Sequence, residues 1–490
     1  MDNDLGPILY VWSMALFCNR KMTTIEGENE TDLTRAGMAP YENFDAAQVI
    51  LDNAIGDNTG NLIYLNGFYR ALTTDHQELI PNRYRLRKSV HADFINETYD
   101  AYVMPFADAF RLDMVDTLKD LTHLIRKLRI PVVIVGVGLR APMDADITRE
   151  FPFDEEVKEF VKAVLDHSAK IGIRGEVTAA YLKKLGFREE IDFTVIGCPS
   201  MYTNGADLTV RQPRLSTDSR ISINASVVAP NNVNQFLRNV MRQIPDYYFL
   251  PQRLQELKMT FAGEPYIHKQ KHAKDYPDSM LDEVYRENRV RCFLNAKTWF
   301  DFLEKVDLSI GGRLHGNIAS IVAGTPALLI PHDSRMKELT EFHHLPHIHA
   351  KDLRPGQDVF ELIEKIDFKS VLKDHDKNFH AYLKFLEENG IEHIFKNGQN
   401  PKEAPLDKRI NNVKLPPPVD TLNGHSYEDN IHRVDKYYRE REIREKQLRV
   451  DFRDLKRECN REKKESQYRK ELLESKPVKY AVSLRKLLKR

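Results

Sequence analysis

The residues best suited to chemistry follow a short predicted strand in the second half of the chain. Residues 307–310 have the apolar character of a strand, glycines follow, and a helix is predicted to begin at or just after Arg313. A helix N-terminus at the end of a strand favours an anion, and the Arg313 guanidinium matches a carboxylate or a phosphate. His315 carries a group that moves a proton near neutral pH. The pattern therefore predicts an anion site with a proton carrier beside it.

Two glycines of the same stretch allow the backbone to come close to a ligand and to the sheet. Gly312 directly precedes Arg313, and Gly316 lies one residue beyond His315. The alternative is an arginine in a salt bridge and a buried histidine that caps a turn. The strand–glycine–helix context favours the ligand site, because ligands of α/β proteins bind at the carboxyl ends of strands.

Arg174 is a second candidate of the same kind. It ends a short predicted strand over residues 170–173 and directly precedes a helix. If Arg174 and Arg313 face each other across a cleft, they clamp a small dianion or trianion between them. The alternative is that Arg174 pairs with Glu176 or another nearby acid.

Gly136 and Gly138 end the β-branched run over residues 131–137, which is typical of a central parallel strand. The full dinucleotide fingerprint and its spaced acid are missing, so an NAD site is not predicted. We expect these glycines to approach a ligand through their backbone.

Two polar stretches complete the candidate site. Asp57, Asn58 and Asn61 lie in a glycine-bounded loop before a predicted helix, where they bind an acceptor sugar or a phosphate, or else cap the helix. Asp333 follows the strand after the motif helix and is predicted near the same cleft. His343, His344 and His347 are interpreted as surface or core histidines rather than as metal ligands.

The elements that must position these residues are strands alternating with amphipathic helices, which predicts an α/β fold with mostly parallel sheets. A polar stretch over residues 204–220 predicts a boundary between a domain over residues 1–210 and a second domain over residues 221–400. Residues 401–424 are Pro-rich and are predicted to be a linker. Residues 425–490 form a charged helical extension, with a weak coiled coil or a solvated helix as alternatives.

Composition limits the classes of function. Of 490 residues, 73 are basic and 73 acidic, so the chain has no overall bias toward nucleic acid. The stretch from 431 to 490 has 21 basic and 11 acidic residues, and its last part, 476–490, fits a basic helix at an anionic membrane or a protein partner, or a solvated end. The apolar run over residues 8–18 lacks a basic n-region, and 4 scattered cysteines are typical of a cytoplasmic protein.

Together these stretches resemble the polysaccharide pyruvyl transferase family. The most specific resemblance is Gly312-Arg-Leu-His-Gly316. Others are Gly56-Asp-Asn-Thr-Gly-Asn61, Ile134-Val-Gly-Val-Gly138 and the segment from Ile171 to Leu185. The chain departs from the family pattern at Gly175, where an acidic residue is common.

The resemblance implies two Rossmann-like, GT-B-like domains that face an interdomain cleft. It implies phosphoenolpyruvate as the donor, a sugar or lipid-linked oligosaccharide as the acceptor, and a cyclic pyruvate ketal as the product. It implies no metal and no organic cofactor. Arg313 and Arg174 are expected to hold the donor, and His315 to act as acid or base. The expected location is the cytoplasm, with a peripheral position at the inner face of the membrane as a variant.

Two other functions remain open from the sequence. A nucleotide-sugar glycosyltransferase of the same architecture also needs a cationic crevice, together with an acid for the ribose, for which Glu338 is the nearest candidate. A non-catalytic scaffold in polysaccharide assembly would use the charged helix as its contact surface.

Overall fold

The computed structural model describes residues 30–267 and 274–474. The apolar run over residues 8–18 and the basic segment over residues 476–490, which the sequence predicts to be an N-terminal element and a surface-binding tail, lie outside the described residues.

The first half is built on a parallel sheet in the order β2-β1-β3-β4. Its strands are β1 (Glu30–Thr34), β2 (Gln77–Pro81), β3 (Tyr102–Pro105) and β4 (Val132–Val135). Every residue of β3 and β4 is buried, as expected for parallel strands covered on both faces. A parallel pair, β5 (Ile171–Ile173) and β6 (Phe193–Val195), joins this sheet through a bridge between Val137 and Ile173.

The second half repeats the plan with another four-stranded parallel sheet, in the order β10-β9-β7-β8. Its strands are β7 (Ile221–Asn224), β8 (Tyr247–Phe249), β9 (Leu308–Gly311) and β10 (Ala327–Leu329). The strand predicted over residues 221–228 ends at Asn224, and a turn follows that is closed by the bond from Ala229 N to Ser226 O at 3.1 Å.

Helices connect the strands in both halves. The helices before the polar stretch over residues 204–220 are α1 (Ala46–Asp52), α2 (Gly60–Leu72), α3 (Ala92–Thr98), α4 (Val115–Ile125), α5 (Asp154–Leu165) and α6 (Glu176–Lys184). Those after it are α7 (Asn231–Gln243), α8 (Leu254–Ala262), α9 (Glu283–Arg286), α10 (Ala296–Leu303), α11 (Leu314–Val322), α12 (Ser334–Phe342), α13 (Val359–Glu364), α14 (His375–Glu388), α15 (Pro405–Asn411) and α16 (Tyr427–Glu474).

Helix α2 joins the two halves. All of its residues except Asn61 are buried, which is the pattern of a helix covered on every side. It packs against α11, and a Cβ on Gly67 would lie 2.8 Å from the carbonyl oxygen of Pro199. One continuous cluster of buried side chains therefore extends from Val103 and Val133 of the first sheet to Leu329 of the second.

The structure confirms the predicted α/β class, with parallel sheets and a long charged helix at the C-terminal end, α16. The linker predicted over residues 401–424 is wrong in part. Helix α15 lies within it, Leu406 and Ile410 are buried, and Arg70 Nη2 lies 2.9 Å from Asp407 Oδ2. Two apolar residues a turn apart are enough to attach this segment to the core, although its overall composition is polar.

Residue contacts divide the chain into two units, one reaching Val434 and the other continuing from Asp435. No helix in the described ranges combines the length and the hydropathy that a bilayer span requires.

Candidate active site

A cavity of about 720 Å³ lies where the strand ends of the two halves meet. The first half contributes Arg35 after β1 and Asp108 after β3. The second half contributes Gly312 and Arg313 after β9 and Asp333 after β10. The cavity therefore lies at the carboxyl ends of parallel strands, which is where the sequence predicts the ligand site.

The turn that carries Arg313 is held by its neighbouring strand. Gly311 has φ +154°, and a Cβ there would lie 2.3 Å from Asn224 O, so β7 and β9 come too close for a side chain at this position. Asn224 Oδ1 accepts the backbone N–H of Arg313 at 3.0 Å and an Nδ2 hydrogen of Asn317 at 3.1 Å. These bonds fix the first turn of α11 and hence the direction of the arginine.

The Arg313 side chain is only partly neutralised. Its Nε donates to Ala225 O at 3.2 Å, and its Nη2 lies 3.9 Å from Glu256 Oε1 without a hydrogen-bond partner in the described residues. Glu256 is itself occupied, since it accepts the backbone N–H of Gln252 at 2.8 Å and the hydroxyl of Tyr276. A guanidinium in this state offers donors to an oxyanion.

His315 lies at the inner end of the cavity and is 6% exposed. Its ring contacts Tyr64, with centroids 5.6 Å apart, and its Nε2 lies 3.6 Å from Cys198 Sγ. Burial, followed by the positive charges of Arg174 and Arg335, lowers the pKa of His315 well below its usual value, against the opposing charge of Asp108. The neutral form of the imidazole is therefore favoured, and it is this form that can accept a proton.

Asp108 organises a group of arginines that the sequence does not reveal. Its Oδ2 lies 2.7 Å from Arg111 Nη1, 3.4 Å from Arg335 Nη1 and 3.6 Å from Arg140 Nη1. Burial alone would raise the pKa of Asp108, but these guanidinium groups outweigh it and hold the pKa well below its usual value. Three guanidinium groups thus share this carboxylate, and Arg111 and Arg335 each have a second carboxylate partner, Asp113 and Asp333 respectively.

The cavity as a whole favours an anion. Its lining includes seven cationic side chains and four acidic ones, and its two histidines are both uncharged near neutral pH. The second histidine, His332, has its pKa lowered by burial to about 4. A cavity with such an excess concentrates negatively charged ligands.

Arg174 does not line this cavity. It is 1% exposed, and its Nε donates to Gly136 O at 2.7 Å. A Cβ on Gly138 would lie 3.3 Å from Arg174 Cδ, so the turn of Gly136 and Gly138 packs on this side chain instead of lining the cavity. Arg174 therefore does not face Arg313 across the cavity, and its Nη1 has no hydrogen-bond partner in the described residues, neither Glu176 nor another acid.

Gly316 also has a packing position. It lies within α11, and a Cβ there would come within 2.3 Å of Gln252 Nε2. The predicted role of close helix packing fits this contact, whereas the backbone of Gly316 does not line the cavity.

The loop before α2 lines the cavity with Asp57, Asn58 and Asn61, as the sequence places them. Asn58 Oδ1 accepts the N–H of Gly60 at 3.0 Å, but the N-cap residue of α2 is Thr59, whose side chain makes no capping bond. Asn61 Nδ2 donates to Ile55 O at 2.8 Å. These bonds stabilise the loop, and Asp57, Asn58 and Asn61 still line the cavity.

Asp333 also lines the cavity, where it has two partners. It caps α12 by accepting the N–H of Met336 at 2.8 Å, and its Oδ2 lies 3.3 Å from Arg335 Nη2. Its neighbour Arg335 links it to Asp108, so both carboxylates orient the same guanidinium.

Glu338, the acid considered for a ribose, does not line the cavity. It is 2% exposed and accepts from Thr178 N at 2.7 Å and from Thr178 Oγ1 at 3.1 Å. Burial raises the pKa of Glu338 to about 7. Across the described ranges, no cluster of three or more His, Cys, Asp or Glu side chains is arranged to hold a metal ion.

Sequence reasoning missed Asp108 and Arg35, whereas Arg335 belongs to the stretch that the sequence predicts near the cleft. The available signal was the same strand-end position that singled out Arg174, since Arg35 follows β1 and Asp108 follows β3 by a few residues. No motif marks them, because their grouping arises only when the two halves pack together.

The fold and the cavity define an α/β protein with a cavity rich in cationic side chains at the strand ends. A sequence model of the family described as polysaccharide pyruvyl transferase matches residues 58–334, more than half of the chain. The chain belongs to this family.

Comparison with curated proteins gives no significant match. Among solved structures, the chain is similar to the UDP-GlcNAc 2-epimerase of Methanocaldococcus jannaschii in complex with UDP-GlcNAc and UDP, with TM-score 0.39 and 10% identity over 73% of this chain and 99% of that chain. It is similar to MnaA of S. aureus with UDP, with TM-score 0.38 and 14% identity over 73% and 95%. It is also similar to MurG of Acinetobacter baumannii, with TM-score 0.32 and 11% identity over 74% and 99%. Likeness at this level transfers no chemistry to the site.

Proposed function

We propose that this protein transfers the pyruvyl group of phosphoenolpyruvate onto two hydroxyls of a sugar and forms a pyruvate ketal. Family membership supports transfer of a pyruvyl group. The observation that carries the proposal is the cation-rich cavity that has Arg313 and a neutral His315 side by side at the start of α11. A donor with both a carboxylate and a phosphate needs such a cavity, and a reaction that moves protons needs such a histidine.

The chemistry assigned to the site balances without a redox partner. One sugar hydroxyl forms a bond to the central carbon of the donor while the methylene carbon gains a proton and becomes a methyl group. The second hydroxyl forms the other bond as the carbon–oxygen bond to phosphate breaks. Two hydroxyl protons are released, one to the methyl group and one to solvent or phosphate. The reaction therefore needs no oxidant or reductant.

The first proton transfer is assigned to His315. Its Nε2 faces Cys198 Sγ, so Nδ1 is the ring nitrogen that lacks a partner among the described residues. A neutral imidazole accepts the hydroxyl proton and returns it to carbon. Arg313 binds an oxyanion of the donor and of the departing phosphate, which places it in contact with the reacting group.

The acceptor is a sugar within a polysaccharide or glycolipid precursor, such as a lipid-linked oligosaccharide. The cytoplasmic location expected from the sequence belongs to this proposal, and so does a contact of the C-terminal tail with a membrane or a partner. The glycosyltransferase alternative loses the ribose acid considered for it, because Glu338 is buried against Thr178.

The purified protein should be incubated with phosphoenolpyruvate and a panel of oligosaccharides, and in parallel with sugar nucleotides. We expect phosphate release that depends on the acceptor, together with a product heavier by one pyruvate less one water. Release of a nucleotide, without any reaction of phosphoenolpyruvate, would instead establish a glycosyltransferase.

A further inference from the structure

Arg35 is a cavity residue that lies outside the stretch matched to the family. It follows β1 directly, whereas the match begins at residue 58. Its guanidinium carbon lies 5.0 Å from the ring centroid of Tyr84 and 5.0 Å from that of Phe106. Such ring contacts hold the cation electrostatically but accept none of its N–H groups in a directed hydrogen bond.

The other arginines at this end of the cavity each have a carboxylate. Arg111, Arg140 and Arg335 share Asp108, and Arg313 has Glu256 at 3.9 Å. Within residues 30–267 and 274–474, Arg35 forms no ion pair and donates no hydrogen bond, although its side chain is half-buried. Its nitrogen atoms are not among the buried polar atoms that lack a partner in the described residues, so these donors remain open to a ligand that enters the cavity.

The two rings that hold Arg35 are themselves fixed. Tyr84 lies in a turn where both it and Arg83 have φ +57°, a conformation that non-glycine residues rarely adopt. Its ring fills the space beside two glycines, since a Cβ would lie 2.7 Å from it on Gly37 and 2.9 Å on Gly56. A strained turn of this kind persists where the surrounding structure holds it, and such turns concentrate at ligand sites.

Phe106 is fixed by stacking, with its ring centroid 5.4 Å from that of Phe160 and the planes inclined by 15°. The arginine is thus presented by rigid aromatic surfaces on the wall formed by the first half. Arg313 is presented on the wall formed by the second half, at the start of α11.

We propose that Arg35 is a second substrate-contacting arginine, which binds an oxyanion of the donor from the wall opposite Arg313. It takes the place in the first half that the sequence assigned to Arg174. This inference rests on the proposed pyruvyl transfer, because it names the residue that binds one of the two acidic groups of phosphoenolpyruvate. The group is either the carboxylate or the phosphate, and both match the guanidinium fork.

The first arm of the test compares donor kinetics of the wild type, Arg35→Lys, Arg35→Gln and Arg289→Lys. Arg289 is a matched control, since its guanidinium also lies over an aromatic ring, that of Tyr247 at 4.8 Å, but it pairs with Glu287 and does not line the cavity. We expect the two Arg35 variants to raise the KM for phosphoenolpyruvate by about tenfold or more, because neither an ammonium nor an amide reproduces the bidentate contact of a guanidinium. The Arg289 variant should stay within about twofold of the wild type, as expected for a site away from the ligand.

The second arm measures anion binding without turnover, by the shift in melting temperature with inorganic phosphate and, separately, with pyruvate. Loss of the phosphate response in Arg35→Gln assigns Arg35 to the phosphate, and loss of the pyruvate response assigns it to the carboxylate. Either loss supports the inference. A protein that binds these anions through Arg35 but never converts phosphoenolpyruvate would overturn the proposed function and leave the anion contact standing. Wild-type KM in Arg35→Lys, together with unchanged responses to both anions in Arg35→Gln, would overturn the inference itself.

Discussion

Arg313 and Arg174 occupy equivalent places in the two halves, each between the end of a parallel strand and the start of a helix. Arg313 lines the cavity. Arg174 does not line the cavity, is 1% exposed, and donates a hydrogen bond to Gly136 O. The difference comes from what covers each arginine. The glycine turn at Gly136 and Gly138 packs directly on Arg174, while the space in front of Arg313 is open.

This comparison separates a chemical role from a supporting one. Position at a strand end brings a side chain to the correct edge of the sheet in both halves. Whether that side chain is buried or reaches the cavity, however, depends on the turns that pack beside it. Arg174 still acts on the site at a distance, because its charge contributes to the lowered pKa of His315. Substitutions on the two sides of this division should differ in their effect on activity, which is expected to be largest at His315 and smallest at Glu338.

Removal of His315 should have the largest effect. We expect His315→Ala to lower turnover by about 10²–10⁴-fold, the range for loss of a general acid or base. The residue belongs to the Arg313 turn, where the open cavity allows it to meet substrate. Steady-state rates of the purified variant, with a thermal melt to show that it folds, provide the measurement. Near-normal turnover would remove His315 from the mechanism.

Lysine substitutions at the two equivalent arginines test the comparison directly. Arg313→Lys should lower kcat/KM by about 10–100-fold with little change in stability, because the fork that binds the oxyanion is lost. Arg174→Lys keeps the buried charge but loses the bond to Gly136 O, so we expect activity near that of the wild type and a free energy of unfolding lower by about 1–3 kcal/mol.

Urea denaturation and steady-state kinetics on both variants decide between the two roles. If Arg174→Lys lost activity as strongly as Arg313→Lys while keeping its stability, Arg174 would be a substrate contact as the sequence suggested.

Asp108 and Asp113 form a matched pair, since both contact Arg111 but only Asp108 is buried. Asp108→Asn leaves three guanidinium groups without their shared charge, and we expect a loss of about 3 kcal/mol in the free energy of unfolding. The KM for the donor should rise by several-fold as the arginines lose their orientation. Asp113→Asn removes an exposed pair and should change stability by at most about 0.5 kcal/mol.

A tighter donor KM in Asp108→Asn would contradict this account of Asp108. It would show that the carboxylate competes with the substrate for the arginines instead of orienting them.

The ionisation of Glu338 can be tested through the pH dependence of stability. Its substitution should have almost no effect on activity. Burial raises the pKa of Glu338 to about 7, so the folded state holds its proton more tightly than the unfolded state does. This contribution to stability is present at low pH and is lost as the pH rises through 7. The difference in free energy of unfolding between the wild type and Glu338→Gln should therefore fall by about 2 kcal/mol between pH 5 and pH 7. A difference that does not vary with pH would show that Glu338 ionises normally in the fold.

Much of the architecture is predictable because strand and helix patterns are local. The β-branched run over residues 131–137 predicts the strand observed as β4. The charged, glycine-free stretch after residue 425 predicts the long helix observed as α16. Helix α15 does not, since its attachment depends on only Leu406 and Ile410. A short helix whose residues are mostly polar gives no clear apolar pattern in the sequence.

The site divides in the same way. The sequence places Arg313, His315 and the loop of Asp57 to Asn61 at the cavity, because each is tied to the start of a helix. It does not reveal the group around Asp108, whose members come from three separate connections of the chain. Nor does it reveal that Arg174 lies beneath Gly138, because burial depends on which turn covers a residue.

The central claim is that the cavity between the two strand edges binds phosphoenolpyruvate through Arg313. The most direct measurement is a crystal structure of His315→Ala with phosphoenolpyruvate, in which the donor is not consumed. The account predicts the donor in this cavity, with an oxyanion within hydrogen-bond distance of the Arg313 guanidinium and with Arg174 still bonded to Gly136. A donor bound through Arg174, or bound elsewhere while the cavity is empty at saturating concentration, would contradict it.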